Sequence, residues 1–177
     1  PSTDTVSPVA ISRGKVDVEG GMLILSFPSE GVVDKIPVSE GQTVQQGQLL
    51  MQQNNRLFFA DKRVAESELA LANAQLQGLR EQLPGLKQKA LRLKNAALAG
   101  ATQLQFSDQA HEALQQAQTA VTVAEAQVNV VKSRLAQLTA HGAQLDLVAP
   151  LNGSIVKLNA QPGSFIPGGQ QAALFLP

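Results

Sequence analysis

The sequence predicts an α+β protein: a small β-sandwich module built from two halves far apart in the chain, with a long antiparallel coiled-coil hairpin inserted between them. Three observations carry this. Residues 65–138 hold two phases of unbroken seven-residue periodicity. A set of Pro, Gly and apolar positions in residues 28–48 recurs at one constant interval in residues 150–170. The periodic segment lies entirely between the two copies, so it interrupts a repeat rather than following a domain.

Composition narrows what such a chain can do. Its 177 residues are 44% hydrophobic but only 3% aromatic, with no Trp or Tyr, which is the make-up of helix seams rather than ligand pockets. Fourteen basic and fourteen acidic residues cancel, removing the electrostatic footprint that nucleic acid or an anionic membrane surface requires. No cysteine is present, which excludes disulfides and thiolate metal sites and fits an oxidising compartment. No run of about 18 apolar residues reads as a membrane span. The chain opens at Pro1 without a charged-then-apolar leader and stops at Pro177 directly after the apolar Ala172–Leu176, so it reads as a fragment of a longer protein.

Residues 1–21 mix Pro, Ser, Asp and Gly with short apolar runs and predict a loose segment or a partial strand. Residues 22–54 form the first half of the module: Met22–Leu25 and Gly31–Val38 read as short strands punctuated by Pro28, Gly31, Gly41 and Gly47. Residues 145–177 form the second, because Pro150, Gly153, Gly163, Ile166 and Gly169 match Pro28, Gly31, Gly41, Val44 and Gly47 without a gap. Val33 with Ile155, Ile36 with Leu158, and Gln48 with Gln170 keep the same interval. Each copy is too short to bury a core alone and would expose strand edges, so the two are expected to interlock.

Residues 55–144 form the hairpin. In its first arm, about 55–99, Ala65, Leu69, Ala72, Leu76, Leu79, Leu83, Leu86, Ala90, Leu93 and Ala97 alternate steps of four and three. In its second, about 107–142, Ala110, Leu114, Ala117, Val121, Ala124, Val128, Val131, Leu135 and Leu138 do the same, which is the seam of a coiled coil. Asn54 or Asn55 is placed to cap the first arm, Ser107 to cap the second, and Gly142 to close it in a left-handed C-cap. The tip falls at about 100–106. Pro84-Gly85 interrupts the first arm, yet the apolar phase continues from Leu83 to Leu86, so a kink or one-turn break is expected rather than a reversal. Ala113, Ala120, Val123 and Val130 lie off the seam; they are either alanine-rich filling or a stripe facing a neighbouring hairpin.

No arrangement of acids, bases or nucleophiles near a pocket is evident, so no catalytic, cofactor or metal residues are assigned. His111 and His141 lack ligand-spaced neighbours and read as solvated helix positions. Met22 and Met51 read as strand core, and Asp34-Lys35 as a solvated turn or strand face.

The repeat resembles a known family. Gly31–Leu50 looks like the first half of a biotinyl/lipoyl-like domain, and Val148–Val156 with Gln161–Ile166 looks like the second. A carrier domain of that type bears its cofactor on a lysine in the tight turn joining the halves; here Gln52-Gln53-Asn54-Asn55-Arg56 follows Met51, with no lysine. A lipoyl-like module split by a helical hairpin is similar to the periplasmic adaptor, or membrane fusion, proteins of the HlyD type. That resemblance implies a homo-oligomeric ring in the periplasm, anchored to the inner membrane, joining an inner-membrane transporter of ABC, RND or MFS type to a TolC-like outer-membrane channel, with no nucleic acid and no cofactor. It also implies a contact at the hairpin tip, where the family shows a basic residue, a leucine four positions on and a serine seven beyond. Lys94, Leu98 and Ser107 occupy comparable places, with Lys for the usual Arg and two extra residues before the serine; Arg92 is nearby, with Ala96 four residues on. The competing readings are a lipoyl or biotinyl carrier subunit, which lacks its lysine, and a structural coiled-coil protein, which predicts no split module.

Overall fold

The computed structural model describes residues 21–177 and, by backbone alone, Val18–Glu19. The expectation for residues 1–21 otherwise lies outside the described residues. The order of elements is β1 (Val18–Glu19), β2 (Met22–Ser26), β3 (Gly31–Lys35), β4 (Thr43–Val44), β5 (Leu49–Gln53), α1 (Arg56–Leu98), α2 (Leu104–Ala143), β6 (Asp146–Val148), β7 (Gly153–Leu158), β8 (Phe165–Ile166) and β9 (Gln171–Leu176). They form two compact units. One holds the strands with α1 up to Ala60 and α2 from Leu138; the other is Asp61–Gln137.

The first unit is a sandwich of a five-stranded sheet, β1-β2-β9-β7-β4, and a four-stranded sheet, β6-β5-β3-β8. Its halves interlock by exchange of their shortest strands. β4 of the first half pairs with β7 of the second, Thr43 opposite Ser154 and Val44 opposite Gly153, while β8 pairs with β3, Phe165 opposite Val32 and Ile166 opposite Gly31. Each of these pairs is the repeat image of the other. The loops obey the same relation: the Gly41 N–H donates to the Ile155 carbonyl at 2.7 Å, and the Gly163 N–H to that of Val33 at 2.7 Å. Gly47 donates to Ala149 and Gly169 to Phe27 at 2.8 and 2.9 Å.

Gly41 and Gly163, at φ of 79° and 90°, turn the chain where a side chain would be strained, which is why the repeat keeps glycine there. Gly31 and Gly153 are retained for a different reason. A Cβ on Gly31 would stand 2.8 Å from the Gln53 amide, and one on Gly153 would stand 2.2 Å from the Leu176 carbonyl oxygen. The core holds paired contributions, Val33 with Ile155 and Val44 with Ile166, around Phe27, Leu50, Met51 and Phe175. On β5 the consecutive Leu50 and Met51 are both buried, beside a register shift between Leu49 and Met51, and on β9 Ala172, Ala173 and Phe175 are buried. Met22 is half-buried rather than fully enclosed.

In the second unit the predicted seam is the packed one. Every seam position named above between 65 and 135 is buried or half-buried, with Ala72, Leu76, Val121 and Val128 at its centre. The arms are antiparallel, since Arg134 Nη1 meets Glu68 Oε2 at 2.8 Å and Arg80 Nη2 meets Glu125 Oε1 at 2.7 Å. Pro84 does not break the first arm. It lies inside α1 on an exposed flank, where solvent can serve the Arg80 carbonyl that lacks its donor.

The helix ends differ from expectation in two places. α2 starts at Leu104, so Ser107 stands in its first turn and is not the cap; Gln103 is the last non-helical residue, and its carbonyl accepts the Phe106 N–H at 3.2 Å. Gly142 is not a left-handed terminator either. It lies within α2, where a Cβ would stand 2.2 Å from the Phe58 ring, so glycine here admits an aromatic side chain instead of reversing the backbone. The helix closes through tighter bonds, Gln144 N–H to the His141 carbonyl and Leu145 N–H to that of Gly142. At the other end, the Asn54 Oδ1 accepts the Arg56 N–H at 3.0 Å and the Asn55 carbonyl accepts the Phe59 N–H at 3.0 Å.

Candidate docking site at the hairpin tip

The reversal between the arms is a Schellman motif. Gly100 adopts φ of 70°, the Ala101 N–H donates to the Ala96 carbonyl at 2.8 Å, and the Gly100 N–H donates to that of Ala97 at 3.1 Å. These bonds satisfy carbonyls that the end of α1 would leave unpaired. The whole turn takes only residues 99–103, which explains why α2 restarts before Ser107.

Of the residues proposed from the sequence, Leu98 ends α1 and is 79% exposed. Ser107 is half-buried in the first turn of α2, while Arg92 and Lys94 are exposed on α1. The tight turn thus places Leu98 and Ser107 on either side of one short reversal. Arg92 and Lys94 stand one to two turns back along α1. Together with Lys87 and Lys89 they give the end of α1 four exposed bases, against Asp108 and Glu112 on α2.

Two side chains extend this set. Leu104 is 68% and Phe106 48% exposed, so the end of the hairpin carries three large apolar groups in solvent. Phe106 also borders a shallow groove of about 300 Å³ with Leu93, Lys89 and Gln109. Their sequence signal was their spacing: both fall outside the seam that begins at Ala110, and large apolar residues off a seam at a hairpin end need another partner. The arrangement can bind and orient an apolar surface. Among the described residues no three His, Cys, Asp or Glu side chains gather as metal ligands would. Where a carrier lysine would stand, the chain passes from Gln53, whose N–H donates to the Leu145 carbonyl at 2.8 Å, into the α1 cap. No helix among the described residues is long and apolar enough to cross a membrane.

Comparison with known proteins follows the fold. The model of a family described as "RND MFP, barrel-sandwich hybrid domain" matches residues 28–176. Among solved structures, the chain is similar to MacA from Actinobacillus actinomycetemcomitans, with TM-score 0.77 and 17% identity over 86% of this chain and 48% of that one. It is similar to the periplasmic adaptor protein EmrA, with TM-score 0.53 and 15% identity over 92% and 73%. A chimera of MacA carrying the α-hairpin domain of Pseudomonas aeruginosa MexA matches with TM-score 0.50 and 19% identity over 87% and 47%. The chain thus spans about half the length of MacA. No curated protein matches its sequence.

Proposed function

This chain belongs to the RND membrane fusion protein family, and from that premise we propose that it is the adaptor subunit of a tripartite export system, joining an inner-membrane transporter to an outer-membrane channel. The observation that carries the reading is the interlocked module with a hairpin inserted at the point where a carrier domain would hold its lysine. The subunit works in the periplasm, held at the inner membrane, as a homo-oligomer, and it performs no catalysis. The module supplies the body of the assembly and the hairpin extends a conduit, with Leu98, Ser107 and one of Lys94 or Arg92 meeting a TolC-like channel. Exposure of Leu98, Leu104 and Phe106 supports a contact there, because apolar side chains of that size gain most from burial against a partner. The transporter is of ABC, RND or MFS type.

The test uses the absence of native cysteine. Leu98→Cys and Ser107→Cys variants, cross-linked in the cell envelope, are expected to capture an outer-membrane channel, whereas Asn73→Cys, far down α1, is not. Equal capture at all three positions, or capture of none, overturns the reading.

A further inference from the structure

The repeat fills the two poles of the module differently. Gln53 stands to Gly31 as Phe175 stands to Gly153, and Ser29 stands to Gly31 as Leu151 stands to Gly153, each at the same interval. The backbone gives both pairs the same niche. The Phe175 ring lies 2.7 Å from where a Cβ on Gly153 would stand, and the Gln53 amide 2.8 Å from where one on Gly31 would stand. Phe175 and Gln53 are 0% and 1% exposed, so packing asks for volume at either pole and has no need of an amide. The amide is nevertheless bonded. Its Nε2 donates to the Ser29 carbonyl at 3.1 Å, and because a carbonyl only accepts, that bond fixes Oε1 as the other end. Oε1 and the Ser29 hydroxyl are both buried, and neither meets a hydrogen-bonding group among the described residues. A polar atom taken out of water without a partner costs as much as a lost hydrogen bond.

We propose that Gln53 and Ser29 hold one internal water molecule, which donates to Gln53 Oε1 and shares a hydrogen bond with Ser29 Oγ. The two atoms set this chemistry. Oε1 only accepts, so the occupant must donate; Oγ does both, which suits an occupant that does both. Neither group is ionised, and no acidic cluster gathers among the described residues, so a cation would lack its countercharge. Two polar partners are what a buried water needs. The site also has a place in the fold. Gln53 ends β5, and its N–H donates to the Leu145 carbonyl at 2.8 Å, which joins the two ends of the insertion. The next N–H, that of Asn54, donates to the Val32 carbonyl at 2.8 Å, and Asn54 Oδ1 accepts the Arg56 N–H at 3.0 Å. Through its side chain and the water, Gln53 ties this junction to the turn between β2 and β3. It is a positioning residue, fixing the strand end from which α1 departs, where its counterpart Phe175 fills space alone. The site lies within the first unit, so it stands or falls without any partner protein.

A high-resolution crystal structure of the full, unaltered chain tests the site. A water within about 2.7–3.1 Å of both Gln53 Oε1 and Ser29 Oγ is expected. A direct bond from Ser29 Oγ to Gln53 Oε1, an ion in that place, or no density there overturns the proposal. Variants test the role. Gln53→Met makes this pole apolar as Phe175 makes the other, and Ser29→Ala removes the second partner. Combined, they are expected to leave the urea midpoint at or above that of the wild type, because replacing both members of a buried polar pair strands neither. Hydrogen exchange in the double variant should still quicken about tenfold at the Asn54 and Arg56 amides and stay unchanged at Ile155, whose N–H bonds the Gln42 carbonyl at 3.0 Å. Exchange that quickens throughout the module with a lowered midpoint would make Gln53 a packing residue only. Unchanged exchange at Asn54 and Arg56 would equally overturn its positioning role.

Discussion

At Gly31 and Gly153 the repeat places the same residue for the same cause, close approach, but with neighbours of different stiffness. A methyl group on Gly31 meets a side-chain amide that can turn aside; one on Gly153 meets backbone, the Leu176 carbonyl, and the Phe175 ring at 2.7 Å. Gly153→Ala is therefore expected to cost about 3 kcal/mol and Gly31→Ala about 1 kcal/mol, read as the difference in urea midpoint multiplied by a common slope. Equal losses would mean that the β9 backbone yields as easily as an amide. Gly142 offers a second residue-scale test, because its obstacle is the Phe58 ring. Gly142→Ala should destabilise the wild type by about 2 kcal/mol and the Phe58→Ala background by less than about 0.5 kcal/mol, a non-additivity that only direct contact produces. A glycine after the last seam residue fits a left-handed cap as well as it fits a close approach, and at Gly142 the approach of Phe58 decides. Nothing in the local sequence says that an aromatic residue more than eighty positions earlier fills the space.

Among the elements, α1 carries an internal conflict. Its seam runs unbroken, yet Pro84 withholds a backbone donor at an exposed site where no packing demands proline. Pro84→Ala should thus stabilise the hairpin by about 2–3 kcal/mol and raise helicity at 222 nm, while Leu76→Ala, at a position only 7% exposed, should cost about 2–4 kcal/mol. If Pro84→Ala lowered the melting temperature, proline would be fixing a bend on which the seam depends. The seam itself was legible because a 3.5-residue period leaves one narrow stripe for burial, and the positions of that stripe between 65 and 135 are the ones covered. Helix starts were less legible. Ser107 has the chemistry of a cap, but the Schellman turn uses so few residues that helix resumes at Leu104, and turn length is set by backbone bonds rather than by which hydroxyl is nearby. Leu98 is marked at the tip by the family's spacing, whereas Leu104 and Phe106 fall within the expected tip and carry only their position off the seam as a signal.

Across the whole chain, the repeat was legible because glycine and proline report backbone geometry directly, and the interlock it implied takes the form of the exchange of β4 and β8. What spacing could not give is which strands adjoin: each half leaves its shortest strand with a partner that exists only in the other half. The two ends of the insertion, moreover, are already sheet neighbours. Gln52 stands opposite Asp146 across β5 and β6, and the Gln53 N–H donates to the Leu145 carbonyl. A two-residue Asn-Gly turn in place of residues 54–144 would close that pair as a β-hairpin in the right-handed twist the strands require. The joined module, residues 21–53 and 145–177, is expected to fold as one cooperative unit with a single urea transition, since its core draws on both halves and on none of the replaced residues. Residues 21–53 alone should show no transition, because β3 and β4 then lose β8 and β7 and expose Val33, Val44, Leu50 and Met51 to water. Protected amides in the isolated half would show that the exchange is not what holds the module together. A joined module that failed to fold would show that residues 54–60 and 138–144, which belong to the same compact unit as the strands, help to hold it.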